Sequence, residues 1–179
     1  MWKGEWKFWA YAPLLYFGMA VLSVMIVLAV VRDRQGGKGS PCANRVAELF
    51  VVTSEHSMWL CENGQSRAHY RVALGSGGVG KHAQGDRKTP LGTYLLGQPR
   101  PSPRFGKFIP VDYPTAEQRC QGFTGNDVGI HGPDRRFRWA GRANTWFDWT
   151  AGCLGLGNDE ELEKVASWVA EKHPSITIQ

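Results

Sequence analysis

The alternation of apolar and polar positions divides the chain into three stretches. From Phe8 to Val31 ("FWAYAPLLYFGMAVLSVMIVLAVV") no charged residue interrupts the apolar run, which is long enough to cross a hydrocarbon layer of about 30 Å. Trp2, Trp6, Trp9, Tyr11 and Tyr16 gather toward its start, where amphipathic rings favour the membrane interface. A cleaved secretory signal has an apolar region of only about 7–15 residues that ends in small residues. This run is longer and ends "LAVVRDR", so residues 1–31 are read as an uncleaved transmembrane anchor. The polar, Gly-rich "RDRQGGKGSP" that follows reads as a flexible linker over residues 32–42.

From residue 43 the pattern shortens to strand-like alternation. Leu49–Thr53, Met58–Glu62 and His69–Leu74 predict three successive strands, with Asn63-Gly64 as a two-residue hairpin turn. Thr93–Leu96, Phe108–Asp112 and Val128–His131 predict further short strands between Pro- and Gly-bearing turns. Helical spacing is convincing only near the end, where Leu162, Val165, Ala166 and Val169 share one face. Asn158 is placed to cap that helix, with Glu161 three residues on as in a capping box, and His173-Pro174 to stop it. "SITIQ" predicts a last strand. Residues 43–179 are thus expected to form one mostly β domain with a single C-terminal helix packed on it.

A chain of 179 residues with 42% hydrophobic content suffices for one core but not two. The net charge of +5 suits an anionic polymer. No nucleic-acid-type block of Lys and Arg occurs, since "RRFRWAGR" is short and aromatic, so no nucleic acid partner is expected. The four cysteines, Cys42, Cys61, Cys120 and Cys153, lack CxxC spacing, so no metal site is expected. With Cys153 kept as a free thiol, the other three allow at most one internal disulfide, and their spacing does not choose the pair. "GSGGVGKHAQGDRKTPLG" lacks the order of a phosphate-cradling loop, because Gly80-Lys81 is followed by His82.

The remaining chemistry centres on Cys153 in "DWTAGCLGLGN". A thiol becomes a nucleophile when a neighbouring base takes its proton. His56 and His69 fall in or beside the hairpins and His173 ends the helix, which are ordinary structural positions. His131 instead ends the apolar strand "VGIHG", where Gly132 lets the chain turn and leaves the imidazole at a strand tip. Small residues at Ala151 and Gly152 would let backbone N–H groups approach a substrate carbonyl oxygen. Trp139, Trp146 and Trp149, with Phe137 and Phe147, lie between the two and are read as a lid or platform against substrate, or as a local core. Asp148 is expected to pair with Arg142 or another basic residue.

"GDRKTPLGTYLL", "IPVDYPTAEQR", "GIHG" and "DWTAGCLGLGNDEEL" occur in that order, and the chain from about Ala47 to its end resembles the L,D-transpeptidase catalytic domain, the YkuD-like family. The resemblance implies that family's β-sandwich or barrel. It implies His131 as general base, Cys153 as nucleophile, and an oxyanion and substrate loop of Thr150, Ala151, Gly152 and Gly132. No cofactor is implied. The reaction would be two-step acyl transfer: Cys153 attacks the carbonyl at the L-centre of diaminopimelate in a peptidoglycan stem tetrapeptide, D-alanine leaves, and an amine of a neighbouring stem or a wall-anchored protein resolves the thioester.

Ala151 and Gly155 depart from the commoner pattern, which has a second histidine and an arginine or asparagine there. They resemble a "DWTxGC" branch that includes both bond-forming and bond-cleaving enzymes. Hydrolysis by the same pair, as an L,D-endopeptidase or carboxypeptidase, is the alternative; a non-catalytic wall-binding domain is a further one. Lys3 and Lys7 precede the apolar run, and Arg32, Arg34 and Lys38 follow it. That bias alone favours a cytoplasmic domain. The wall substrate implied by the resemblance overrides it and places a single-pass protein in the cytoplasmic membrane with the domain on the periplasmic or extracellular side.

Overall fold

The computed structural model describes residues 40–179. Nine strands form one sheet: β1 (Ala47–Val52), β2 (Ser57–Glu62), β3 (Gln65–Ala73), β4 (Gly92–Leu95), β5 (Arg100–Ser102), β6 (Gly106–Pro110), β7 (Gly129–His131), β8 (Leu154–Leu156) and β9 (Ser175–Ile178). Their spatial order is β4-β9-β1-β2-β3-β8-β7-β6-β5. The expected sandwich or barrel is therefore a single curled sheet. Its curl brings the end of β4 to the end of β6, where Gly97 N–H donates to Pro110 O at 2.8 Å and Asp112 N–H to Leu95 O at 3.0 Å.

The β1–β2–β3 meander forms as its alternation dictates. Asn63 and Gly64 take φ of 51° and 77°, the paired positive values that a right-twisted two-residue hairpin requires. Period two sends Leu49 and Val51 into the main core and Phe50 to the opposite face. There Phe50 packs in a small cluster with Cys42 and Cys61, and these two cysteines form the disulfide. Cys42, expected at the end of a linker, is thus buried and bonded to β2. The anchor expected over residues 1–31, and the linker as far as residue 39, lie outside the described residues. Among the described residues no helix is long and apolar enough to cross a membrane.

Two α-helices are present among the described residues rather than one: a short α1 (Ala116–Cys120) and the C-terminal α2 (Asp159–Lys172). Asn158 Oδ1 accepts the Glu161 N–H at 2.8 Å, while the Glu161 carboxylate reaches Gly157 N–H at 3.2 Å, one residue before the cap. Leu162, Val165, Ala166 and Val169 are buried as predicted, and α2 packs against β6 and β8. A 3-10 segment over Arg135–Thr145 fills the path between β7 and β8. β9 leaves α2 and joins β1 in parallel, pairing Leu49 with Ile176 and Val51 with Ile178.

Candidate active site

Strand register brings the site together. β7 and β8 run parallel, with Ile130 opposite Leu154 and His131 opposite Gly155. Cys153 stands two residues before Gly155 and so shares the face that carries His131. Both residues line one cleft of about 440 Å³, with Ala151, Thr150 and Trp149 on one wall and Phe105, Phe108 and Asp127 on others.

His131 is held on every side. Its Nδ1 lies 2.7 Å from Gly132 O. A carbonyl only accepts, so Nδ1 carries the proton and Nε2 keeps its lone pair. Phe105 stacks on the ring at 3.9 Å and Trp149 lies tilted at 5.5 Å. This burial drives the imidazole pKa down to about 4, with the Gly132 bond opposing and Arg104 adding to the fall. Cys153 is half-buried with its Sγ 3.5 Å from Asp127 O. Burial pushes its thiol up to about 11, against a backbone hydrogen bond from Gly129 and the charge of Lys81. The resting pair is accordingly a neutral thiol beside a neutral imidazole.

The turn before Cys153 is fixed by one side chain. Buried Thr150 donates Oγ1–H to Cys153 O at 2.7 Å and accepts Gly152 N–H at 3.1 Å. Gly152 N–H, an expected oxyanion donor, is therefore engaged. Cys153 N–H has no protein partner among the described residues. Gly152 itself has φ of +126°, and a Cβ there would sit 2.6 Å from Lys88 O, so only glycine fits. Gly132 lies near Asp159 and Leu162, away from the cleft wall.

Asp148 does not pair with Arg142, which reaches Glu161 instead. Its Oδ1 accepts Leu74 N–H at 2.7 Å and its Oδ2 meets His56 Nε2 at 3.1 Å, tying the segment before Cys153 to the end of β3. The two departures from the commoner family pattern separate in space. Ala151 is exposed and lines the cleft. Gly155 is buried behind it, where a Cβ would meet Trp149 Cζ2 at 3.3 Å.

A profile of the L,D-transpeptidase catalytic domain matches residues 47–178. The chain belongs to that family. It is 39% identical over 91 residues to YafK of Escherichia coli K12, a protein named for the same family, covering 49% of this chain and 34% of YafK. Among solved structures, Pgp2 of Campylobacter jejuni, a helical cell shape determining protein, superposes with a TM-score of 0.60 at 26% identity, over 75% of this chain and 47% of Pgp2. Bd1075 of Bdellovibrio bacteriovorus shares the fold with a TM-score of 0.54 at 19% identity, over 74% of this chain and 47% of Bd1075. The chain thus spans about a third of YafK and about half of each of these two structures.

Within this L,D-transpeptidase domain the three expected lid tryptophans part company. Trp149 walls the cleft and its indole N–H donates to Asn144 O at 2.8 Å. Trp139 is 84% exposed beside a neighbouring apolar cavity, and Trp146 is 75% exposed beside a third. Sequence reasoning gave no role to Phe105, Arg104 or Asp134. Arg104 lies over the Phe105 ring at 5.0 Å and its Nε donates to buried Asp134 at 2.7 Å, bracing the ring that covers His131. Arg136 and Arg104 hold the Asp134 carboxyl below the usual carboxylate range. No periodic or motif signal marks these residues, because the sheet order alone brings the β5–β6 turn over β7.

Proposed function

We propose that this domain is a peptidoglycan L,D-transpeptidase in which Cys153 is the nucleophile and His131 the base. The observation that carries the reading is the His131–Gly132 bond: it fixes the tautomer whose Nε2 can take a proton, in the cleft that the free thiol of Cys153 also lines. The Cys153 proton passes to Nε2 as Sγ attacks the donor carbonyl, the C–N bond breaks, and the departing amine takes the proton back. Cys153 N–H is oriented by the Thr150 bonds as an oxyanion donor. An incoming amine, of a stem peptide or a wall-anchored protein, then resolves the thioester.

The Cys42–Cys61 disulfide supports an oxidising, extracytoplasmic setting, which is where a wall substrate lies. The apolar run before residue 32 would then anchor the domain to the membrane surface. Cys153→Ala is expected to abolish the mass increase produced by a carbapenem; undiminished labelling would refute the nucleophile. Incubation with defined muropeptides separates the outcomes, since cross-linked dimers report transfer and shortened monomers report hydrolysis.

A further inference from the structure

The cleft carries more positive charge than its own acids neutralise. Arg87, Arg100 and Arg104 line it, and Asp127 is the one carboxylate among the described residues that does. Arg104 is committed to Asp134. Arg100 comes no closer to Asp127 than 3.9 Å, and both side chains are exposed. Arg87 makes no side-chain hydrogen bond or ion pair among the described residues. Its neighbour Asp86 is unavailable, since it already accepts from Lys81 Nζ and from the amides of His82, Ala83 and Lys88.

The backbone holds Arg87 where it would not settle unaided. Its φ is +57°, a left-handed value that disfavours residues with a Cβ. The surrounding bonds impose it: Arg87 O accepts Gly77 N–H at 2.9 Å, Thr89 N–H donates to Gly78 O at 2.8 Å, and Thr89 Oγ1 accepts Gly75 N–H at 2.8 Å. Asp127, which also lines the cleft and whose carbonyl oxygen lies 3.5 Å from Cys153 Sγ, has φ of +53°. Backbone strain of this kind persists only where the surroundings over-determine it, and it clusters at ligand clamps.

Resting on the transpeptidase reading, we propose that Arg87, assisted by Arg100, binds a free carboxylate of the acyl-donor peptide and sets it beside Cys153. A planar guanidinium with five donors matches a carboxylate in two parallel bonds, and a fixed Cα makes that fork directional. A donor tetrapeptide offers two such groups: the terminal carboxylate of the residue that leaves, and the side-chain carboxylate of the diamino acid.

The test measures binding of three tetrapeptides, with both carboxylates free, with the terminal one amidated, or with the side-chain one amidated. Full-length protein carrying Cys153→Ala is compared with the same protein carrying Arg87→Gln as well. Arg87→Gln should weaken binding of the free peptide roughly ten- to a hundredfold. One amidated peptide should bind the Arg87 protein weakly by a similar factor and lose nothing more with Arg87→Gln, which identifies the carboxylate. Arg87→Gly, which accommodates the positive φ, should behave as Arg87→Gln does, and Arg87→Lys should fall between. An equal loss on all three peptides, or no loss on the free one, overturns the proposal. Turnover is measured separately with Cys153 present: the expected binding pattern in a protein that processes none of the peptides would refute the reaction while upholding the carboxylate site.

Discussion

Two neighbouring segments join β7 to β8 and meet opposite fates. Over Asp148–Cys153 nearly every group is held: Asp148 by Leu74 and His56, Thr150 by Gly152 and Cys153, Trp149 by Asn144. Over Arg135–Phe147 the backbone folds into 3-10 turns, yet Phe137, Trp139, Trp146 and Phe147 stand largely in solvent. The second segment is the richer in aromatics, four of its thirteen residues against one of six in the first, so aromatic content does not decide burial. The difference lies in what each segment faces: the first seals the end of β3 and the His131 ring, whereas the second runs along the rim with only its polar Asn144 and Thr145 turned inward.

The comparison can be broken most severely at Gly152. Gly152→Ala drives a Cβ into Lys88 O at a φ of +126°, and is expected to cost about 2–3 kcal/mol and remove carbapenem acylation, read by thermal melting and mass spectrometry. Protonation of His131, the ring that this segment seals, strikes at the same packing. Because burial lowers the His131 pKa from 6.5 to about 4, the unfolded chain binds more protons in that window. Stability contributed by the neutral ring is therefore complete above pH 6.5 and falls by about 3 kcal/mol as pH drops to 4. Urea melts at several pH values should show this slope in the native protein and lose it in His131→Asn.

Trp149→Ala should cost about 2 kcal/mol in the same melts, since it empties the wall between His131 and Gly155. Asp148→Ala leaves Leu74 N–H without its acceptor and should cost about 1–2 kcal/mol. Trp139→Ala and Trp146→Ala should change stability by less than about 0.5 kcal/mol, as exposed substitutions do. A cost near that of Trp149→Ala at either rim position would mean that the two segments are not distinct in kind.

Local signals made much of this legible in advance. The Asn63-Gly64 turn and the Asn158 cap rest on contacts within a few residues, and the apolar face of α2 on spacing along one helix, so each is written in the local sequence. The elements that escaped are those whose stability is borrowed from neighbours. β8 is only Leu154-Gly155-Leu156, with a glycine that lowers strand preference, and it exists because β3 and β7 flank it. β5 contains Pro101, which a strand tolerates here because β5 ends the sheet order.

For the site, the sequence alone singled out Cys153 and His131 as the candidate pair and Gly152 as a turn residue beside them, since they stand in motifs whose chemistry would need those residue types. Tertiary structure decided what surrounds them. It gave the Gly152 amide to Thr150, set Phe105 rather than an outer tryptophan on the His131 ring, moved Gly155 behind the cleft and left Arg87 facing into it. Those outcomes depend on sheet order and register, in which residues far apart in the chain become neighbours through hydrogen bonds that no local pattern encodes.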